Sequence, residues 1–224
     1  DIIREIYPAG SKLPPERDLA VKYDAGRFAV REAIAMLAQS GLVVTHPQSG
    51  TYVTDFRNNG SLETLVQILR IRRSIDRQTL ESLLKFRFIT ETAAAGEAAG
   101  RITERDIEYL ELNLEKKREH LADPEILAEC DFDFHYTIIS ISGNIINRIV
   151  FQSFRPVYHF FTEFFYSIEG SAEASLKLNL KLLRALKLRN SDASKRAMGA
   201  ILKSAEKRVY DAIKDGTHFT LRSR

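Results

Sequence analysis

The chain has 224 residues, 44% of them hydrophobic and 28% charged, with a formal net charge of +3, one cysteine and no tryptophan. That length leaves room for one large domain or a small one joined to a mid-sized one; the chain is too apolar for disorder, and its apolar runs are too short for a membrane span. The lone Cys130 excludes an intrachain disulfide framework and any CxxC zinc or redox site, which points to a reducing, cytoplasmic setting, whereas a charge of +3 decides nothing about nucleic acid.

No stretch at the N-terminus reads as a secretory signal, and the most apolar segment, VYHFFTEFFYSI, carries His159 and Glu163 and so reads as a buried helix. The first 56 residues are punctuated by Pro8, Gly10, Pro14, Pro15, Gly26, Gly41, Pro47 and Gly50, and such breakers become sparse after Leu62. This shift predicts two domains, residues 1–56 and 62–224, joined through the polar, turn-forming DFRNNGS stretch with 57–61 as the linker.

In the first block, Pro14 and Pro15 precede a helix from Glu16 to about Tyr23, since proline at a helix start has no amide hydrogen to strand. Leu19, Ala20 and Tyr23 are expected to face inward. Asp24, Ala25 and Gly26 form a tight turn before a second helix from about Arg27 to Ser40, with Val30, Ile34, Leu37 and Ala38 at helical spacing and Arg27, Arg31 and Gln39 on the opposite side. Gly41 sits where a left-handed helix stop is wanted, and Leu42–Thr45 with Thr51–Thr54 form a hairpin around HPQSG. Helix, tight turn, helix and hairpin make a winged helix-turn-helix.

The run KLPPERDLAVKYDAGRFAVREAIAMLAQSGLVVTHPQSGTYV resembles the DNA-binding region of the GntR family of bacterial transcription regulators, with its LPSER, VREA and GTFV-type motifs. It departs at Gly26, where the family has Ser, and at His46 and Gln48 in the wing; family members also have a fuller first helix. An α-helix fits the major groove and arginine reads guanine through O6 and N7, so Arg27 and Arg31, four apart on one helix face, are the expected readers of a double-stranded operator. The resemblance adds Arg17 of the LPSER-type motif and the wing residues His46, Gln48, Ser49 and Gly50 as contacts. Residues 1–56 hold six Lys or Arg against seven acids, a net −1, so one copy should bind DNA weakly and a homodimer on a palindromic site is expected.

The second block reads as six or seven helices, opened by Leu62, Leu65, Val66 and Leu69 and continued by Leu80, Leu83, Leu84, Phe88 and Ala95, then by stretches near 103–121, 125–141, 144–168, 172–189 and 192–214. Thr103 with Asp106 offers a capping-box start and Pro124 suits a first helical turn. The whole chain is therefore expected to be mainly α, with a bundle large enough for an internal ligand pocket.

LLKFRFITETAAAGEAAGR and DFDFHYTIISISGN resemble the FCD effector domain of the FadR-like GntR subfamily. Most such domains hold a divalent metal with one Asp and three His and bind a carboxylate effector there. Asp131 and His135 match the first two ligands, at i and i+4 on one helix face. The other two positions fall on Asn179, a weak ligand, and Ile201, which has no donor atom, so a complete metal site is not expected; His159 is a substitute only in principle. Arg87 falls where many of these domains place an effector-binding arginine, whose planar fork suits a carboxylate or phosphate. The resemblance thus implies an effector site of Arg87, Asp131, His135 and Asn179 for a small organic acid. Some members bind acyl-CoA instead, and Tyr158, Phe160, Phe161, Phe164, Phe165 and Tyr166 would line its tunnel. Two other readings stay open: a metal-dependent enzyme using Asp131 and His135 with Glu91 or Asp133 as base, or a ligand carrier. Against the first stands the lack of HExxH, Walker and GxSxG motifs; against the second, the retained Arg27 and Arg31.

Overall fold

The computed structural model describes residues 1–72, 74–212 and 218–220, and the chain divides into two compact units, 1–73 and 74–224. In the first, helix α1 (Glu16–Lys22) and helix α2 (Arg27–Gln39) are followed by strands β1 (Val43–His46) and β2 (Gly50–Val53), paired antiparallel with Val43 opposite Val53 and His46 opposite Gly50. Gly41 adopts φ +73°, and the bonds Gly41 N–H to Ala38 C=O and Leu42 N–H to Leu37 C=O close α2 in a Schellman motif. A side chain at Gly41 would also crowd the Asn59 carbonyl at 3.1 Å. Val30 is buried as its spacing predicts, but Tyr23 and Ala38 are exposed, because α1 ends at Lys22 and the last turn of α2 faces solvent.

Residues 57–61, expected as the linker, lie within the first compact unit. Residues Phe56–Asn59 form a helical turn, α3, with the Asn58 amide donating to the Asp55 carboxylate at 2.7 Å. Helix α4 (Leu62–Arg72) then belongs to the first unit, not to the second block. Ser61 accepts from the Thr64 N–H at 3.1 Å, Ile68 packs with Ile2, Ile3, Leu13, Leu42, Val43 and Val53, and Arg72 donates to the Ile3 carbonyl at 2.9 Å. The helix expected to open the second block thus adds Ile68, which the periodicity did not single out, to the core of the first unit.

Among the described residues the second unit has seven helices: α5 (Arg77–Arg101), α6 (Glu104–Glu119), α7 (Pro124–Ile141), α8 (Ile145–Ser153), α9 (Arg155–Ser167), α10 (Ser171–Lys187) and α11 (Ser191–Ala212). A short ribbon adds β3 (Ser74–Asp76) antiparallel to β4 (His218–Thr220). The capping box of Thr103 and Asp106 opens α6, and Asp123 caps α7 with Pro124 in its first turn. The single stretch expected over 144–168 is two helices. The chain turns at Phe154 because Pro156 has no N–H to continue the α8 ladder and fits instead in the first turn of α9. The main core joins the small residues Ala95, Ala98 and Ala99 of α5 to Leu110, Leu114, Ile138, Leu182, Leu186 and Met198. Alanine on one helix lets larger side chains of its neighbours approach closely. No helix among the described residues is long and apolar enough to cross a membrane.

Leu186 is fully buried. Leu186→Ala is expected to cost about 2–5 kcal/mol through lost transfer energy and the cavity left behind. Urea unfolding followed by circular dichroism measures it, and an unchanged midpoint would place Leu186 outside the cooperative core.

Candidate functional site

The DNA-reading candidates lie on the surface of the first unit. Arg27 is exposed at the first position of α2, whose N-cap Gly26 supplies no side-chain bond to the helix end. Arg31, one turn on, reaches back to α1 and pairs with Glu16 in a forked contact, Nη2 to Oε2 at 2.9 Å and Nε to Oε1 at 3.2 Å. This bond holds the Glu16 carboxyl below its ordinary range and fixes the direction of the guanidinium. Arg17 pairs with its neighbour Asp18 at 3.1 Å and is 74% exposed, so that contact leaves most of its surface in water. At the wing tip Gln48 has φ +61° and Gly50 φ +125°; His46 packs at 5.6 Å from the Tyr52 ring, whose hydroxyl shares a 2.8 Å hydrogen bond with Ser49. Lys12, absent from the sequence-based candidates, bridges to Tyr52 and lays its side chain beside Gly50. Its one sequence signal was its place just before LPPER.

The second unit brings a buried polar network together from five helices. On α5, Arg87 donates through Nε to Glu91 at 2.6 Å and through Nη2 to the Tyr158 hydroxyl of α9 at 3.1 Å, with its guanidinium 4.4 Å from the Tyr158 ring centre. Glu91 accepts in turn from His135 Nδ1 of α7. A carboxylate can only accept, so Nδ1 carries the proton, and His135 Nε2 is turned toward Asp131 Oδ2 at 3.9 Å with no hydrogen-bond partner among the described residues, although the ring is buried.

Asp131, one turn before His135, accepts from three donors: Lys117 Nζ of α6 at 2.8 Å, Tyr166 at 2.6 Å and Tyr158 at 2.8 Å. Lys117 is fully buried; its other two bonds go to the Ser175 hydroxyl at 2.9 Å and, with the Asn179 amide oxygen facing it, to Asn179 at 3.0 Å. Burial pushes the Asp131 carboxyl up, but Lys117, His135 and the Tyr166 bond outweigh it and hold the group well below the usual carboxylate range. Glu91 follows the same balance, with burial raising it and Arg87 and His135 bringing it down. Burial, reinforced by the neighbouring carboxylates, keeps the Tyr158 and Tyr166 phenols neutral.

Arg87, Asp131, His135, Tyr158, Thr162 and Ser175 form the polar end of a cavity of about 70 Å³, whose remaining walls are Ser204 and apolar side chains mainly of α5, α8, α9, α10 and α11, Phe161, Phe165 and Ile201 among them. Three of the four expected effector residues thus line one cavity. The fourth, Asn179, is fully buried and stands one contact back, holding Lys117. His159 lies elsewhere, stacked on Phe132 and 3.1 Å from Glu129.

A divalent ion does not fit this donor set. Ile201 brings a hydrocarbon to the cavity wall, Asp131 Oδ1 and the Asn179 oxygen are taken by the Lys117 ammonium, and Asp131 Oδ2, the oxygen nearest His135 Nε2, accepts from Tyr158. No group of three or more His, Cys, Asp or Glu side chains among the described residues is arranged to hold one. Sequence reasoning missed Lys117 and Ser175, and singled out Tyr166 only as a tunnel wall and not as a partner of Asp131. The signal for Lys117 was its position in the inward stripe Ile107, Leu110, Leu114, Lys117 of α6.

Residues 82–204 match the FCD domain family and residues 1–53 match the family described as bacterial regulatory proteins, gntR family. A putative L-lactate dehydrogenase operon regulatory protein of Escherichia coli K12 is 33% identical over 138 residues, covering 62% of this chain and 53% of that protein. The transcriptional regulator LutR of Bacillus subtilis is 32% identical over 140 residues, 62% of each. The matched part thus spans between half and two thirds of these relatives. A solved GntR structure from Streptococcus agalactiae aligns with a TM-score of 0.52 at 26% identity, covering 92% of this chain and 94% of that one.

Because Asp131 and Glu91 ionise more readily folded than unfolded, their contribution to stability is complete above the ordinary carboxylate value of about 4 and is lost as pH falls through their lower folded values. Urea midpoints measured from pH 6 to pH 3 are expected to fall, and Asp131→Asn, which already lacks this ionisation, should show a shallower acid slope than the parent. Parallel slopes would contradict the depressed carboxyl.

Proposed function

The chain belongs to the GntR family of bacterial regulators, in the FadR-like branch with a C-terminal FCD domain, and from that premise we propose that it is a ligand-responsive regulator that binds a palindromic operator as a homodimer. Its partner is DNA. The reading of operator bases is assigned to Arg27 and Arg31, with Arg17 and the wing residues His46, Gln48, Ser49 and Gly50 on the backbone or minor groove. In support, Arg27 and Arg31 share the exposed face at the start of α2, the end of a recognition helix that enters the major groove. The first 56 residues are slightly acidic and the whole first unit, 1–73, carries only +2, which favours two protomers on one site because each supplies little charge to hold DNA alone. A cytoplasmic setting goes with this role.

The observation that carries ligand response is the cavity of the second unit: apolar walls end in Arg87 and in a buried His135 Nε2 that has no partner among the described residues. A buried polar atom without a partner costs free energy, which a ligand hydroxyl donating to Nε2 would recover, while Arg87 receives a carboxylate. A cavity of about 70 Å³ admits a small organic acid, whereas a long acyl chain would have to displace side chains, so the small acid is favoured over acyl-CoA. The name of one relative concerns regulation of an L-lactate dehydrogenase operon, which accords with a metabolite-responsive role without naming the ligand, and that of the other concerns transcriptional regulation alone. The effector shifts DNA affinity only by binding the two states of the dimer unequally.

Arg31→Ala is expected to weaken operator binding by about 1–3 kcal/mol in fluorescence anisotropy at fixed salt. Arg87→Ala should leave operator binding by the free protein intact while removing its response to a panel of small carboxylic acids. An Arg31→Ala protein that binds like the parent would overturn the reader assignment, and a parent whose DNA binding no acid changes would overturn the sensor.

A further inference from the structure

The polar end of the cavity is organised around a lysine. Lys117 Nζ has three N–H donors and meets three acceptors of different kinds: the Asp131 carboxylate at 2.8 Å, the Ser175 hydroxyl at 2.9 Å and the Asn179 amide oxygen at 3.0 Å. Its side chain is fully buried, so no water completes the shell. A carboxylate, an amide oxygen, a hydroxyl and the nearby His135 Nε2 are also the donors a small divalent cation would gather.

We propose that the Lys117 ammonium is a resident cation that takes the place of a divalent metal in this site, so that the cavity receives its anionic ligand without a metal ion. This deepens the effector-site reading above and rests on it. An ion on Asp131 Oδ1 or on the Asn179 oxygen, at about 2.0–2.2 Å, would fall inside the hydrogen-bond shell of the ammonium, and one on Oδ2 would have to displace the Tyr158 hydroxyl beside the same positive charge, so Lys117 and the bonds around it oppose an ion. The ammonium also keeps Asp131 ionised and paired, which prevents that carboxylate from repelling an incoming anion. Lys117 spends all its donors inside the protein and does not address the ligand. That task falls to Arg87, whose Nη1 makes no hydrogen bond to the described residues, while His135 Nε2, with the ring proton on Nδ1, can accept from a ligand hydroxyl. The ligand class is therefore a small monocarboxylate: one anionic head at this polar end, with an apolar remainder against walls such as Phe161 and Phe165.

The test uses the untagged full chain, dialysed against EDTA and then titrated with Ni²⁺ and Zn²⁺ by calorimetry, with melting temperature as a second readout. The parent is expected to retain no stoichiometric ion and to melt at the same temperature with and without metal. Lys117→Ala uncovers Asp131, Asn179 and His135, and is expected to gain uptake of one ion per protomer, with a rise in melting temperature on adding Zn²⁺. Ile201→His, which supplies a further donor but keeps the ammonium, should still take up no ion, and it decides the matter if Lys117→Ala fails to fold. One tight divalent ion per protomer in the parent, uptake by Ile201→His, or a folded Lys117→Ala that ignores metal would each overturn the proposal. These readouts involve no DNA: a metal-binding parent would leave the regulator reading standing, and a failure to bind DNA would leave the metal result unchanged.

Discussion

The buried pair of Lys117 and Asp131 is the constraint on which the helical unit depends. Removing an ammonium and a carboxylate from water costs several kcal/mol for each ion, and the cost is offset only when the two meet and every remaining hydrogen-bonding position is filled. Here the matching needs α6 for Lys117, α7 for Asp131, α9 for Tyr158 and Tyr166, and α10 for Ser175 and Asn179. Through Tyr158 the network continues to Arg87 and Glu91 on α5 and returns to α7 at His135. Apolar packing alone tolerates small slips between helices, whereas a network of directed bonds between five helices is satisfied in one arrangement.

The first unit was legible because its signals are local. A proline pair, a glycine needed at φ +73° and β-branched runs around a turn fix α1, α2 and the hairpin within short windows of sequence. Where neighbouring apolar patterns meet, sequence could not say which core each joins. The stripe of Val66, Ile68 and Leu69 on α4 would serve either unit, and only the pocket offered by Ile2, Leu13 and Leu42 assigns Ile68 to the first. The break at Phe154 was written in Pro156, yet a proline in a first helical turn and a proline inside a longer helix look alike until the flanking hydrogen bonds are known.

The candidate site divides the same way. Asp131 and His135 stand four apart on one helix, and Arg87 and Glu91 do so on another, so each pair could be read from its own element. Lys117 could not, because a lysine in a charged helix such as ERDIEYLELNLEKKRE reads as solvated, and its burial becomes evident only once Asp131 and Asn179 arrive from other helices. Family likeness drew attention to Asn179 and Ile201 as missing ligands. The geometry shows that Asn179 is retained for another partner, while Ile201 extends the apolar wall.

The same network determines where a response to a ligand can arise. Its bonds fix α6, α7, α9 and α10 to one another around the polar end of the cavity, so binding there finds a rigid floor. Helix α11 contributes Ile201, Leu202 and Val209 to the walls, and α5 contributes Leu80, Leu83 and Leu84 from its first turns. Apart from Ser204 of α11, none of the side chains these two segments bring to the cavity can make a hydrogen bond into the network, so those walls give way mainly at the cost of apolar contact. In the proposed regulator, a carboxylate head held by Arg87 would therefore express the size and shape of its apolar remainder as displacement of α11 and the start of α5. That start directly follows β3, where the second compact unit begins. The rigid floor supplies affinity for the anionic group common to many metabolites, and the yielding walls decide which of them changes the protein.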